Sequence, residues 1–187
     1  MNDFYSIVLE GMDEAIYRDI AAALEATVKD IIKPVNKTSQ TSFNDAEMVR
    51  LLQTADAYGK STIYCTFEFA ATMIPDAAWA SDQMKQERWN NGYFSTYKGH
   101  NVIILPQSFE DETNAKKVID PSKAYIIPTG AEKPIKVAFE GAQQVKDFEN
   151  RDWSTEIQTY QKVGVASYLV NPGICVYENT SLTKDNK

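Results

Sequence analysis

Asn2 to Ile32 contains no proline, and its single glycine is Gly11. Within it, Val8, Met12, Ile16, Ile20, Leu24 and Val28 form an unbroken i+4 ladder. The pattern predicts one helix over 2–32. Four residues turn a helix by about 400°, so the ladder drifts about 40° per step. A short helix on one flat core keeps its apolar stripe in place. A drifting stripe suits a rod that meets different partners along its length, although a plain core helix with a ragged stripe gives a similar pattern. At 1.5 Å per residue the rod is roughly 45 Å long, more than a compact domain of 187 residues requires. Glu10, Asp13, Glu14 and Asp19 fall largely off the ladder.

Length and a hydrophobic content of 43% allow one domain or two lobes with a real core. The formal net charge is −7 and the sequence pI about 4.8. No Lys/Arg run is denser than Lys116-Lys117, so direct nucleic-acid readout is not expected and a strongly anionic membrane is disfavoured. Enclosing nucleic acid without gripping it is not. Cys65 and Cys175 lie in apolar, strand-like surroundings and are expected as buried free thiols, which suits a reducing cytosol. No secretory signal is expected, because a basic n-region is missing after Met1. No apolar run reaches the roughly 18 residues of a bilayer span.

Beyond the helix, 33–43 reads as a linker opened by Pro34. A helix over 45–58 is capped by Asn44 and closed by Gly59, with Met48, Leu51, Leu52, Ala55 and Tyr58 on one face. A strand is predicted at 61–66 and a helical turn at 67–73. A helix from Pro75 is amphipathic through Trp79, Met84 and Trp89, and ends at Asn90-Asn91-Gly92. Two strands then flank the tight turn Lys98-Gly99-His100. Residues 107–123 read as a surface loop. Strands follow at 124–128, 134–139 and 143–148, with Gly141 interrupting. A β-segment over 154–170 is predicted to form a hairpin with 174–177 around Asn171-Pro172-Gly173, before a polar, disordered tail. Replacing Ile103 or Ile104 by Asp is expected to unfold this lobe, and changing His100 to do little. The class is α+β.

Chemistry is sparse. His100 is the only histidine, which excludes multi-His metal sites. Cys65 with His100 is a conceivable thiol–imidazole pair without orienting context. Gly59-Lys60-Ser61 resembles the tail of a phosphate loop but lacks its first glycine and its strand. Asp13-Glu14 and Asp111-Glu112 read as solvated pairs. Tyr93, Phe94 and Tyr97, and Trp79 with Trp89, read as core or interface. Asn36-Lys37-Thr38 matches a glycosylation pattern by chance. No catalytic, cofactor-binding or metal-ligating residue is assigned.

The order of elements resembles the major capsid protein of tailed bacteriophages, the Hong Kong 97-type fold shared with encapsulin shells. Phe4 to Ile32 is similar to its spine helix. Ala46 to Leu52, then Ser61 to Phe67, resembles the start of its axial domain, and Lys98 to Pro106 its turn–strand–proline segment. Val145 to Ile157, Val163 to Ala166 and Ile174 to Tyr177 resemble its closing strands. The resemblance implies an axial domain over 44–130 inserted into a peripheral domain of 1–43 and 131–178, with 179–187 a disordered tail. It implies a non-enzymatic coat subunit. Copies assemble as pentamers and hexamers into an icosahedral head, enclosing DNA without specific binding and without a membrane. The location implied is the virion, after assembly in the host bacterial cytoplasm. The family's N-terminal arm and extended loop are missing ahead of the spine. The chain is therefore expected to be the core of a longer protein, and to be monomeric when cut so. An encapsulin-like nanocompartment shell is the alternative. A small cytosolic hydrolase using Cys65 or a carboxylate is the rival from another class.

Overall fold

The computed structural model describes residues 2–30, 33–73, 81–129, 134–167 and 172–185. The chain forms two compact units, one of 1–27 with 133–168 and the other of 28–132 with 169–187.

In the first unit, α1 spans Asn2–Asp30, as the ladder predicts. Val8 to Leu24 along the ladder are half-buried, and Val28, already in the second unit, is buried. Its companion is an antiparallel ribbon of β6, Ile135–Glu149, and β7, Thr155–Ser167. Gly141, at φ 77, does not end a strand. It opens a bulge in which Gly141, Ala142 and Gln143 stand opposite Gln161 alone. Three residues against one leave an excess of two, so the alternation resumes on the same face. The expected hairpin of 154–170 with 174–177 is thereby corrected: β7 pairs with β6. The turn that joins them is built without glycine, by Asn150 N–H to Ser154 O (2.9 Å), Trp153 N–H to Asn150 O (3.1 Å) and Ser154 N–H to Asp152 Oδ1 (3.1 Å).

The second unit is a six-stranded mixed sheet. Its strands are β1 (Lys37–Gln40), β2 (Ser61–Cys65), β3 (Thr96–Tyr97), β4 (His100–Ile104), β5 (Lys123–Pro128) and β8 (Cys175–Asn179), in the order β1-β8-β5-β2-β4-β3. β8 and β5 lie inside the sheet, and their runs Cys175-Val176-Tyr177 and Ala124-Tyr125-Ile126 are buried throughout, as strands covered on both faces must be. α2, Asp45–Asp56, lies against them through Met48, Leu51, Leu52 and Ala55. Asn44 caps it, its Oδ1 accepting from Ala46 N–H (3.0 Å) and Glu47 N–H (3.4 Å). α3, Phe67–Thr72, adds Phe69 and Ala70 to the core.

Several expectations need correction here. The linker 33–43 contains a 3-10 turn at Pro34–Asn36 and β1, a polar strand that pairs in parallel with β8. Asn36 fastens it by donating to the carbonyls of Pro172 (2.5 Å) and Ile174 (3.1 Å). Because β1 and β8 belong to the same sheet as 61–128, the chain does not divide at 43/44, 130/131 and 178/179; the boundaries fall at 27/28, 132/133 and 168/169. The tail is not free over 180–185. Thr180 N–H bonds Gln40 O (2.8 Å), Lys117 N–H bonds Lys184 O (3.0 Å), and Leu182 packs on the core. The surface loop sinks at its far end, where Lys117, Val118, Ile119 and Ser122 are buried.

The helix predicted from Pro75 begins outside the described residues, Trp79 included. Its described part is α4, Asp82–Asn91, capped by Ser81 and closed by Gly92 in the left-handed region. It buries no residue, and Trp89 is 89% exposed, so α4 is not the amphipathic core helix expected. The turn after it is as read: Lys98 (φ 47) and Gly99 (φ 86) both take positive φ between paired Tyr97 and His100, the geometry of a two-residue hairpin turn. Ile103, expected in the core, is 43% exposed.

Candidate assembly surfaces

Among the described residues, the side chains singled out for chemistry lie apart or are tied up in structural contacts. His100 opens β4 and reaches back to the end of α2. Its Nδ1 lies 3.1 Å from Ser61 Oγ and 3.2 Å from the Ser61 carbonyl oxygen, and its Nε2 lies 3.4 Å from Asp56 Oδ2. Ser61 is buried and donates its hydroxyl to Asp56 Oδ1 (2.7 Å). A nucleophilic serine hands its proton to histidine; this one is committed to a carboxylate and shut off from solvent. The trio ties α2, β2 and β4 together, so the expectation that His100 is an indifferent turn residue is revised. His100→Ala is expected to cost about 1–2 kcal/mol, read as a lowered urea midpoint at unchanged slope. An unmoved midpoint would show the tie carries no stability.

Cys65 and Cys175 are buried free thiols. Burial pushes the Cys65 thiol up to about 12 and the Cys175 thiol up to about 11, so neither supplies a thiolate near neutral pH. Cys65 is not brought to His100, whose polar partners are Ser61 and Asp56. Glu14 pairs with Arg18 at 2.9 Å, and Asp111 accepts from Thr113 N–H (3.0 Å). The densest basic run is neutralised: Lys116 pairs with Glu110 at 2.9 Å, and buried Lys117 with Glu68 at 2.7 Å. Among the described residues, no cluster of three or more His, Cys, Asp or Glu could hold a metal, and no helix is long and apolar enough to cross a membrane.

Phe94 and Tyr97 prove to be core. The Tyr97 ring meets Phe43 edge-on at 6.0 Å, and its hydroxyl donates to Asp45. Burial raises the Asp45 carboxyl. The hydrogen bonds from Lys98 Nζ (2.5 Å) and Tyr97 outweigh that and hold it below its usual range.

What the fold leaves on the outside is apolar surface, concentrated on the ribbon. Cross-strand partners point the same way, so Val137, Phe139, Val145, Ile157, Val163 and Val165 share one face. The other carries Lys136, Glu140, Lys146, Phe148, Tyr160 and Lys162. From Ala138 to Glu149, every residue of β6 is exposed, so Phe139 and Val145 stand out on one face and Phe148 on the other. Tyr160 is 63% exposed and Trp153, at the turn, 94%. On α4, Trp89 is similarly bare. Sequence reading singled out Trp89 but missed the ribbon. The alternation of Val137-Phe139 and Val163-Val165 was the available signal, hidden because Gly141 read as a break.

The family model described as "SPbeta prophage-derived putative capsid protein YonB" matches residues 3–170, from α1 to just past β7. A solved chain described as a virus-like particle from Pyrococcus furiosus is similar at 13% identity and a TM-score of 0.48, over 88% of this chain. This chain spans 63% of that one's length. No curated protein matches. The family match covers most of α1, the ribbon and five of the six strands of the sheet, and on that ground the chain belongs to the YonB family of prophage-derived capsid-type proteins.

Proposed function

We propose that this protein is a structural coat subunit whose copies assemble into a closed shell, specifically an icosahedral bacteriophage head of the Hong Kong 97 type enclosing DNA. The observation that carries the reading is the capsid-family match over 3–170. The mechanism is geometric: identical wedges pack around symmetry axes as pentamers and hexamers, and closure follows from the rotation at each contact. In this reading α1 is the spine helix. The unit of 1–27 and 133–168 is the peripheral domain, and the sheet unit is the inserted axial domain. The apolar side chains left bare on the ribbon and α4 favour a subunit over a free monomer, since monomers rarely expose large apolar patches. The net charge of −7 and the pairing of Lys116 and Lys117 with carboxylates suit a wall that holds DNA without gripping it. Assembly takes place in the host bacterial cytoplasm, where buried thiols stay reduced, and the protein ends in the virion.

Expression in bacteria, followed by particle pelleting, electron microscopy and nuclease treatment, tests this. Closed particles holding nuclease-protected DNA are expected. Closed particles holding protein cargo instead would make the chain a nanocompartment shell. Absence of any particle from the full natural reading frame would contradict the shell reading.

A further inference from the structure

We propose that His100 is a proton-operated clamp: uptake of a second proton by its ring tightens the junction of α2, β2 and β4, so the sheet unit holds more firmly at mildly acidic pH than above neutrality. The hydrogen-bond inventory around the ring carries the inference. Ser61 donates its hydroxyl to Asp56 Oδ1 (2.7 Å), so towards the ring its oxygen can only accept. His100 Nδ1 therefore faces two acceptors, Ser61 Oγ at 3.1 Å and the Ser61 carbonyl oxygen at 3.2 Å. Nε2 faces a third, Asp56 Oδ2 at 3.4 Å. A neutral imidazole has one N–H and one lone pair, whereas the charged ring has two N–H groups. With the proton on Nδ1 alone, the Nε2 lone pair is turned to a carboxylate. With the proton on Nε2 alone, the Nδ1 lone pair is turned to a carbonyl oxygen, and the Ser61 hydroxyl must leave Asp56 to relieve it. The doubly protonated ring donates at both ends and disturbs neither bond.

The surroundings favour that charge. Asp56 is the last residue of α2, so the ring stands at the helix end where the macrodipole is negative. The His100 side chain is 13% exposed, which leaves little water to stand in for a missing partner. That of Asp56 is 40% exposed, so solvent protons reach the pair. Cations on the neighbouring elements are engaged elsewhere or solvated. Lys98, in the turn before β4, bonds Asp45 (2.5 Å). Lys117 bonds Glu68 of α3 (2.7 Å), and Lys60, next to Ser61, is exposed. Tyr97, opposite His100 on β3, donates its hydroxyl to Asp45.

The pH window is set by residue type. His100 is the only histidine, and histidine is the side chain that changes charge between about pH 5 and 8. Burial keeps both thiols above that window, at about 12 for Cys65 and about 11 for Cys175. At Asp120, burial is outweighed by the hydrogen bonds from Lys123 and Ser122, which hold the carboxyl below the usual range, as Asp45 is held. A fold that prefers the doubly protonated ring binds more protons than the unfolded chain, so its stability falls as pH rises through the window.

The test is urea unfolding of the full chain at about pH 5.5 and about pH 7.5, beside Asp56→Asn and His100→Gln. Asparagine still accepts from the Ser61 N–H and hydroxyl, and removes the charge that faces Nε2. Glutamine keeps a donor and does not titrate. For the unaltered chain, the unfolding equilibrium constant is expected to be about threefold to tenfold smaller at the lower pH. Both variants should lose most of this response, and their deficit against the unaltered chain should shrink as pH rises. An unaltered chain that is equally stable at both pH values, or more stable at the higher one, overturns the clamp and leaves the shell reading untouched. A pH response that survives unchanged in Asp56→Asn and His100→Gln overturns it too. Should His100→Gln fail to fold, the unaltered chain and Asp56→Asn still decide.

Discussion

Tyr177→Ala is expected to destabilise the sheet unit by about 4 kcal/mol, a large share of the roughly 5–15 kcal/mol that holds a domain together. Tyr177 lies in β8, fully buried, with ring centres 5.7 Å from both Phe43 and Phe69. Its hydroxyl accepts from Asn44 N–H (2.7 Å) and donates to Ser42 O (3.2 Å). Truncation opens a cavity among the aromatics and also strands the amide of the residue that caps α2. Tyr177→Phe separates the two effects. It keeps the ring and leaves Asn44 N–H without this partner, at a cost of about 1–2 kcal/mol. Urea unfolding of both variants checks the pair. A loss below about 1 kcal/mol for the alanine variant would mean that the aromatic cluster is not the core of this unit.

The second large effect is a contrast between neighbours. Val102→Asp is expected to cost more than about 4 kcal/mol, because Val102 is 7% exposed and a carboxylate there is buried without a partner. Ile103→Asp, one residue on, is expected to stay within about 1 kcal/mol, because Ile103 points to the opposite, half-open face of β4. The contrast reverses the sequence expectation for Ile103. Circular dichroism of the two purified variants reads it directly. Equal loss of structure in both would contradict the strand's orientation in the sheet.

That reversal shows where the sequence was legible. Signals closed within a few residues were sound: the proline-free ladder of α1, Asn44 ahead of Met48 and Leu51, and Lys98-Gly99 between two strands. Signals set by remote partners were not. Lys37–Gln40 looks like a linker because an edge strand needs no apolar run, and only β8, far along the chain, makes it a strand. Asn171-Pro172-Gly173 carries a stronger turn signature than Asn150 to Ser154. Yet the second joins the ribbon, with Trp153 in a conformation that propensity disfavours. Gly141 looked like a strand end, although a bulge with an even excess leaves the faces in phase. The exposed apolar surface was least legible, since Phe148 and Tyr160 look like core residues in any strand. Only the sheet topology shows that nothing in β6 or β7 buries them.

Sedimentation velocity of the intact chain, over a concentration series, tests self-association most directly. The subunit is 21.1 kDa. Species many times that mass, growing at the expense of the monomer as concentration rises, are expected. A single species of monomer mass at every concentration, from the full natural reading frame, would contradict the shell subunit proposed above.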